Sequence, residues 1–406
     1  MAPPDSQEID LLKRRACAAV DDIAERLVAA SRSIHARPEV MFEEHHAHAV
    51  LTDLLASCGL DVERGAHGLE TAFRADAGEG SGPIVAICCE YDALPDIGHA
   101  CGHNVIGAAG VGAGLAAAMV AAEVGGRVRI LGTPAEEGGN GKGLMADDGA
   151  FDDVTAALMV HPGDRDLRYM TTLAATRVEV TYRGKAAHAA ASPWHGVNAL
   201  DAAVMGYVNV AAMRQHLAPD QRIHGTFVEV PEKSNIIPER VVARWAARGR
   251  SVTSALDAFD RLLACLRAGA EAARCEIELE ISETGSQVLD CEPLIERYAA
   301  NAARLGRIVA DPAEVGHMYG STDMGRVSRR VPSLHAVIKV APTGIGIHER
   351  AFAAAAGSPD GDRAVIDGAK AMAMTALDVW TDDSLHAIAN EHFQAACAAD
   401  PLPDHT

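Results

Sequence analysis

Leu11, Leu12, Ala16, Val20, Ile23, Leu27 and Ala30 recur at three- and four-residue spacings, which predicts one helix over residues 9–34. A second helix is expected over 43–58, closed by Gly59. Short apolar runs at 84–89, 128–131 and 156–160 read as buried strands. Between the first two, an Ala- and Gly-rich run at 105–124 reads as a helix, whose small side chains suit tight packing on a sheet. Buried strands alternating with helices predict an α/β domain with a mostly parallel central sheet.

The pattern changes after residue 169. Residues 177–182 alternate in the manner of a half-buried strand. A helix over 197–216, strands over 222–230 and 240–248, a helix over 252–272 and a strand over 276–282 follow. The order β-α-β-β-α-β is that of a ferredoxin-like α+β domain, placed at 171–285 as an insertion. Residues 1–170 and 286–406 then form the first domain, with helices at 293–305 and 364–379 and a strand at 334–340. Residues 400–406 read as a frayed tail.

A chain of 406 residues exceeds what one core usually supports, in keeping with two domains. The net charge of −20 argues against nucleic acid and against anionic membrane surfaces as partners. Aromatics at 4% give no stacking platform for single strands. No run reaches the roughly 18 uncharged apolar residues of a membrane span, and the acidic N-terminus does not read as a signal peptide. A cytoplasmic protein is expected. Nine cysteines, without a C-x-x-C pair, argue against a disulfide framework.

Candidate chemistry gathers at strand ends. The first strand runs into Glu90-Tyr-Asp92, the second into Gly132-Thr-Pro-Ala-Glu136-Glu137-Gly, the third into His161-Pro162. In open α/β sheets ligands collect beyond the carboxyl ends of the strands. Cys101 and His103 follow the first strand and open the next helix; thiolate and imidazole suit zinc or a related divalent metal. Each piece has a plainer reading: a buried Cys beside a helix-capping His, a solvated acid pair, a satisfied core histidine. Together Cys101, His103, Glu137, His161 and His348 supply five N, S and O donors, enough for two metals if one group bridges. Arg240, Arg244 and Arg248 share one face of a period-two strand, where a guanidinium could hold a carboxylate or simply face water.

Taken in order, these segments resemble the di-metal aminoacylase and peptidase family, in its amidohydrolase subgroup. The matching pieces are Glu90-Tyr-Asp-Ala-Leu-Pro95, His99-Ala-Cys-Gly-His-Asn104, Gly132-Thr-Pro-Ala-Glu-Glu-Gly138, Met159-Val-His-Pro162, Gly184-Lys-Ala-Ala-His-Ala-Ala190 and Asn235-Ile-Ile-Pro238. Met318-Tyr-Gly-Ser-Thr-Asp323 and the His348 segment extend the match. Glu90-Tyr-Asp with Cys-Gly-His-Asn looks most like the branch of Xaa-Arg (β-alanyl-lysine) dipeptidases and aminobenzoyl-glutamate hydrolases.

The resemblance implies a metal-dependent hydrolase of an amide bond in a dipeptide or N-acyl amino acid. It implies two divalent ions per subunit (Zn, Mn or Co), with Cys101 bridging and His103, Glu137, His161 and His348 completing the shells. Glu136 would be general base and then acid; Asp92, with Glu90, would orient the ligands. His188 would stabilise the oxyanion, with the inserted domain acting as a lid and forming a homodimer, and Asn235 and Arg248 would contact the far end of the substrate. Asn104 stands where many relatives carry Asp, and His348 is followed by Glu349-Arg350-Ala351-Phe352 rather than the commoner Ser- or Thr-containing continuation. A cysteine hydrolase with Cys101 as nucleophile leaves Glu136, Glu137 and His161 without a task, and a non-catalytic metal-binding relative leaves Glu136 without one.

Overall fold

The computed structural model describes residues 5–402. In chain order the first elements are α1 (Ser6–Asp22), α2 (Ala24–Ala36), α3 (His45–Ser57), β1 (Glu63–Arg64), β2 (Phe73–Ala77), β3 (Ile84–Cys89), α4 (His103–Ala121), β4 (Arg127–Gly132), α5 (Gly141–Asp147) and β5 (Ala156–Gly163). Next come β6 (Thr171–Thr172), β7 (Ala174–Arg183), α6 (Ala199–Met213), β8 (Arg222–Glu229), β9 (Arg240–Gly249), α7 (Val252–Ala273) and β10 (Glu276–Ile281). The last are α8 (Glu292–Ala303), α9 (Pro312–Val315), β11 (Tyr319–Gly320), α10 (Met324–Ser328), β12 (Ser333–Lys339), α11 (Arg350–Ala356), α12 (Pro359–Thr381) and α13 (Asp383–Ala399). The chain divides into two compact units, Met1–Thr171 with Val288–Ala398 and Thr172–Gln287 with Ala399–Thr406.

The first unit is built on a six-stranded sheet in the order β1-β2-β4-β3-β5-β12. β4, β3, β5 and β12 are parallel, while β1 and β2 add an antiparallel edge. β3 is buried along its whole length, as a parallel strand covered on both faces must be. α4 lies on this sheet and is apolar on every side; it is long and apolar enough to cross a membrane, and 89% of its apolar window is buried inside the protein. Its glycines permit that closeness: a Cβ at Gly114 would sit 2.4 Å from Ile130 of β4.

The second unit holds the antiparallel sheet β10-β7-β9-β8, crossed by α6 and α7 in the order β-α-β-β-α-β. Val180, Tyr182, Ala202, Val210, Trp245, Phe259 and Leu262 form its core.

Three expectations need correction. The periodic stretch 9–34 is two helices, broken at Ile23, whose ψ of 9° leaves the helical region. The hydrophobic stripe continues across the break because both helices feed one core, so periodicity alone hides it. His161 belongs to the end of β5 rather than following it. Asp400 does not fray: it is buried and accepts from Val252 N (3.2 Å), Thr253 N (3.2 Å) and Gln287 Nε2 (2.8 Å). It thereby belongs to the second unit, whereas the sequence reading left it with the first. Of that expected tail, residues 403–406 lie outside the described residues.

Candidate metal centre

Adjacent parallel strands bring their carboxyl ends side by side. β4, β3 and β5 therefore deliver Glu136-Glu137, Glu90-Asp92 and His161 to one edge of the sheet. Cys101 and His103 enter through a tight cap. Gly102 between them has φ +79°, and a Cβ there would lie 2.8 Å from Pro162. Only glycine takes that backbone and that contact together. His348 arrives from the segment before α11, itself at φ +67°, with its N–H donating to Ala100 O at 2.9 Å.

Three overlapping donor sets result: Cys101, His103 and His161; Cys101, Glu137 and His348; and His103, Glu136 and Glu137. Within each set the donor atoms lie within 4.8 Å of one another. Cys101 is common to the first two. His348 Nε2 is 3.1 Å from Cys101 Sγ and 3.8 Å from Glu137 Oε2. His103 Nε2 is 3.9 Å from both Glu136 Oε2 and Glu137 Oε1.

The groups behind these donors aim them. His103 Nδ1 donates to Asp92 Oδ1 at 2.9 Å, which leaves the Nε2 lone pair facing the acids. Asp92 Oδ2 also accepts from Glu137 N at 3.0 Å. His161 Nδ1 donates to Pro162 O at 2.7 Å, so its Nε2 is likewise the free donor. Glu90 Oε1 meets Lys142 Nζ at 2.5 Å, and Lys142 Nζ meets Asp323 Oδ1 at 2.6 Å, all three groups being buried. Glu90 Oε2 is 3.5 Å from His103 Nε2.

Burial and neighbouring charge set the protonation tendencies. Burial, then the His335 ring, pushes the His161 pKa down to about 3, so the ring is neutral, as a ligand must be. Burial opposes ionisation of Glu90, but Lys142, then His103 and His161, hold its pKa below the usual carboxylate value. Burial and then the charge of Glu90 raise Glu136 well above that value, which makes it a stronger base. Burial pushes the Cys101 thiol well up, opposite to the depression an activated nucleophilic cysteine shows.

Those features fit a divalent cation. His103 Nε2 and Glu137 Oε1 are buried without a hydrogen-bond partner, a costly arrangement for aligned donors of this kind. A divalent cation would use both and would reverse the protonation preference of Cys101.

Of the remaining expected residues, His188, Asn235 and Arg248 lie in the second unit. His188 and Asn235 share a loop pairing, with Ala189 N donating to Asn235 O at 3.0 Å. Arg248 Nε donates to His224 Nε2 at 3.3 Å. Its strand neighbours Arg240 and Arg244 are ion-paired with Glu229 and Glu179. Asn104 turns away from the acids and donates to Ser31 Oγ and Ala356 O.

Sequence reasoning assigned no role to Glu44, Lys142, Asp323 or His335. The ring of His335, buried on β12, lies 5.7 Å from that of His161. Glu44 stands in a polar run with Glu43, His45 and His46, Lys142 in a glycine-rich stretch and His335 alone in an apolar run, and only Asp323 fell within a matching segment.

Comparison with known proteins identifies the family. The profile of peptidase family M20/M25/M40 matches residues 88–378. The chain is 41% identical over 391 residues to a Xaa-Arg dipeptidase of Mus musculus, covering 92% of this chain and 90% of the relative. It is 32% identical over 273 residues to one of the chains of p-aminobenzoyl-glutamate hydrolase from Escherichia coli strain K12, covering 62% of this chain and 56% of that relative. A Bacillus subtilis dinuclear metal-binding peptidase shares the fold at a TM-score of 0.71 and 19% identity, over 88% of this chain and 99% of that one. The chain belongs to peptidase family M20/M25/M40 and is a metal-dependent hydrolase of amide bonds.

Proposed function

We propose that the protein cleaves a dipeptide whose C-terminal residue is basic, of the Xaa-Arg or β-alanyl-lysine type, with aminobenzoyl-glutamate and N-acyl amino acids as the next classes. The supporting observation is the convergence of Cys101, His103, Glu137, His161 and His348 beside the buried Glu136 carboxylate. The substrate class rests on the 41% identity to the Xaa-Arg dipeptidase over most of both chains.

Cys101, His103, Glu137, His161 and His348 would hold two divalent ions, with Cys101 shared between them, and Zn, Mn and Co would all suit this mixed donor set. When bound, the ions polarise the scissile carbonyl and acidify water. Glu136 takes the proton from the attacking water on a carboxylate oxygen and returns it to the leaving nitrogen. His188 supplies a hydrogen bond to the oxyanion. Its Nδ1 accepts from Ala190 N and Ala191 N at 3.2 and 3.3 Å, so the neutral ring carries its proton on Nε2 as a donor. Asn235 and Arg248 bind the far end of the substrate, and a guanidinium holds a terminal carboxylate with two bonds.

His188 acts across a homodimer of the second unit. α6 exposes Val204, Tyr207 and Val208, and the edge strand β8 exposes Val228, surfaces that a second copy would cover. The nine cysteines are all unpaired, in keeping with a reducing cytoplasm.

The test is a hydrolysis screen of the apoprotein reloaded with Zn, Mn or Co. Its panel holds β-alanyl-lysine, Xaa-Arg dipeptides, aminobenzoyl-glutamate and N-acyl amino acids. The largest kcat/KM on the basic dipeptides is expected. A preference for aminobenzoyl-glutamate or acyl amino acids would overturn the substrate assignment, and no turnover on any of them would overturn the function.

A further inference from the structure

A buried carboxylate almost a hundred residues upstream holds the turn that carries Glu136. Glu44 precedes α3 and is fully buried. Its Oε2 accepts from Thr71 Oγ1 at 2.8 Å, and its Oε1 accepts from the backbone N–H of Ala135 at 2.9 Å. Ala135 sits at φ +59°, the left-handed region that is strained for a residue with a Cβ. It immediately precedes Glu136. On the other side, the N–H of Glu137 donates to Asp92. The backbone N–H groups of both residues that flank Glu136 are thus tied to buried carboxylates from other parts of the fold.

The choice of a carboxylate needs a reason. Burying one is costly, and the named charge closest in effect on Glu44, Asp92, has the same sign. Its two oxygens, however, reach two donors in different segments at once. An apolar side chain would leave the Ala135 N–H unpartnered and the left-handed turn unsupported.

We propose that Glu44 is a positioning residue for the general base, fixing the strained Ala135 turn so that the Glu136 carboxylate stays directed toward the metal ligands. This rests on the reading of Glu136 given above. Asp92 alone fixes the far side of Glu136 and leaves its near side free to relax to ordinary backbone angles.

The test uses the full-length, metal-loaded enzyme and the best substrate of the screen, with Glu136→Gln run in parallel. Glu44→Leu should lower kcat by about 30-fold or more with KM changed less than about threefold, as expected when a reacting group is displaced by about an ångström. Metal stoichiometry should be unchanged. Hydrogen exchange should speed up in peptides spanning 133–139 and stay slow in α4. Glu44→Gln keeps a carbonyl oxygen for Ala135 and should retain kcat within about fivefold, while Thr71→Val should retain it within about threefold. Should Glu44→Leu fail to fold, Glu44→Asp, one methylene too short to span both donors, should lower kcat about tenfold with the same local exchange signature.

Parent-like kcat in Glu44→Leu or Glu44→Asp, with Glu136→Gln inactive, would overturn the positioning role alone. Equal losses in the Leu and Gln variants, or faster exchange throughout α4, would overturn it too, because Glu44 would then serve the fold at large. An active Glu136→Gln would remove the base assignment and this proposal with it.

Discussion

Two imidazoles in this site are aimed by what their other nitrogens touch. Asp92 takes the Nδ1 proton of His103, and Pro162 O takes that of His161, so each ring presents Nε2. The acids divide the work by position: Glu137 is drawn toward His348 and has its N–H on Asp92, while Glu136 stands next to it with a raised pKa. Glu136→Gln is therefore expected to keep its metal content and lose roughly 10² to 10⁴-fold in kcat. Glu137→Gln should lose metal by elemental analysis, and unchanged stoichiometry would count against its place among the ligands. Cys101 should resist thiol alkylation when metal is bound and react after chelation, because a coordinated thiolate is shielded. Equal labelling of the two forms, read by peptide mass spectrometry, would remove it from the shell. The ligand residue types were legible in the sequence. Their hydrogen-bond partners were only partly so, since Asp92 lies near His103 in the chain whereas Asp323 lies 181 residues from Lys142.

At the scale of elements, helices depend on buried charge and on caps from afar. α5 carries a fully buried lysine at its second position, and Lys142 neutralises both Glu90 and Asp323. Lys142→Met should destabilise the fold by about 3–5 kcal/mol, because it leaves two buried carboxylates without their cation. A shift in denaturation midpoint equivalent to less than about 1 kcal/mol would refute that account. α7 closes its first turn completely. Val252 N and Thr253 N donate to Asp400, Ser254 N to Ser251 Oγ, and Ala255 N to Ser251 O. Asp400→Ala should cost about 1–2 kcal/mol and lower the thermal midpoint. Ser251 was readable as a cap from its place before an apolar run, whereas Asp400 was not, because the other half of the cap arrives from the end of the chain.

At the scale of the molecule, the homodimer reading makes a decisive prediction. Glu136→Gln and His188→Ala are each expected to be inactive. After co-refolding at equal ratio, random pairing in a two-fold dimer gives about half mixed dimers, each with one intact site, so activity should return to about a quarter of the parent value. Mixed dimers confirmed by native mass spectrometry yet inactive would show that His188 serves its own chain. The sequence by itself determined the α/β alternation and the inserted β-α-β-β-α-β unit and pointed to candidate donor residues, because hydrophobic period and strand-end chemistry are local signals. It did not determine the break at Ile23, the antiparallel strand β2 or the capping place of Asp400. The break lies inside a continuing stripe, β2 has only five residues and mixed polarity, and Asp400 meets its partners across long stretches of chain. Tertiary structure likewise decided that Glu44, Lys142 and His335 stand around the candidate metal ligands. A buried polar residue acquires its meaning from the neighbours that share its low-dielectric surroundings, and the parallel sheet brings those neighbours from strand ends far apart in sequence.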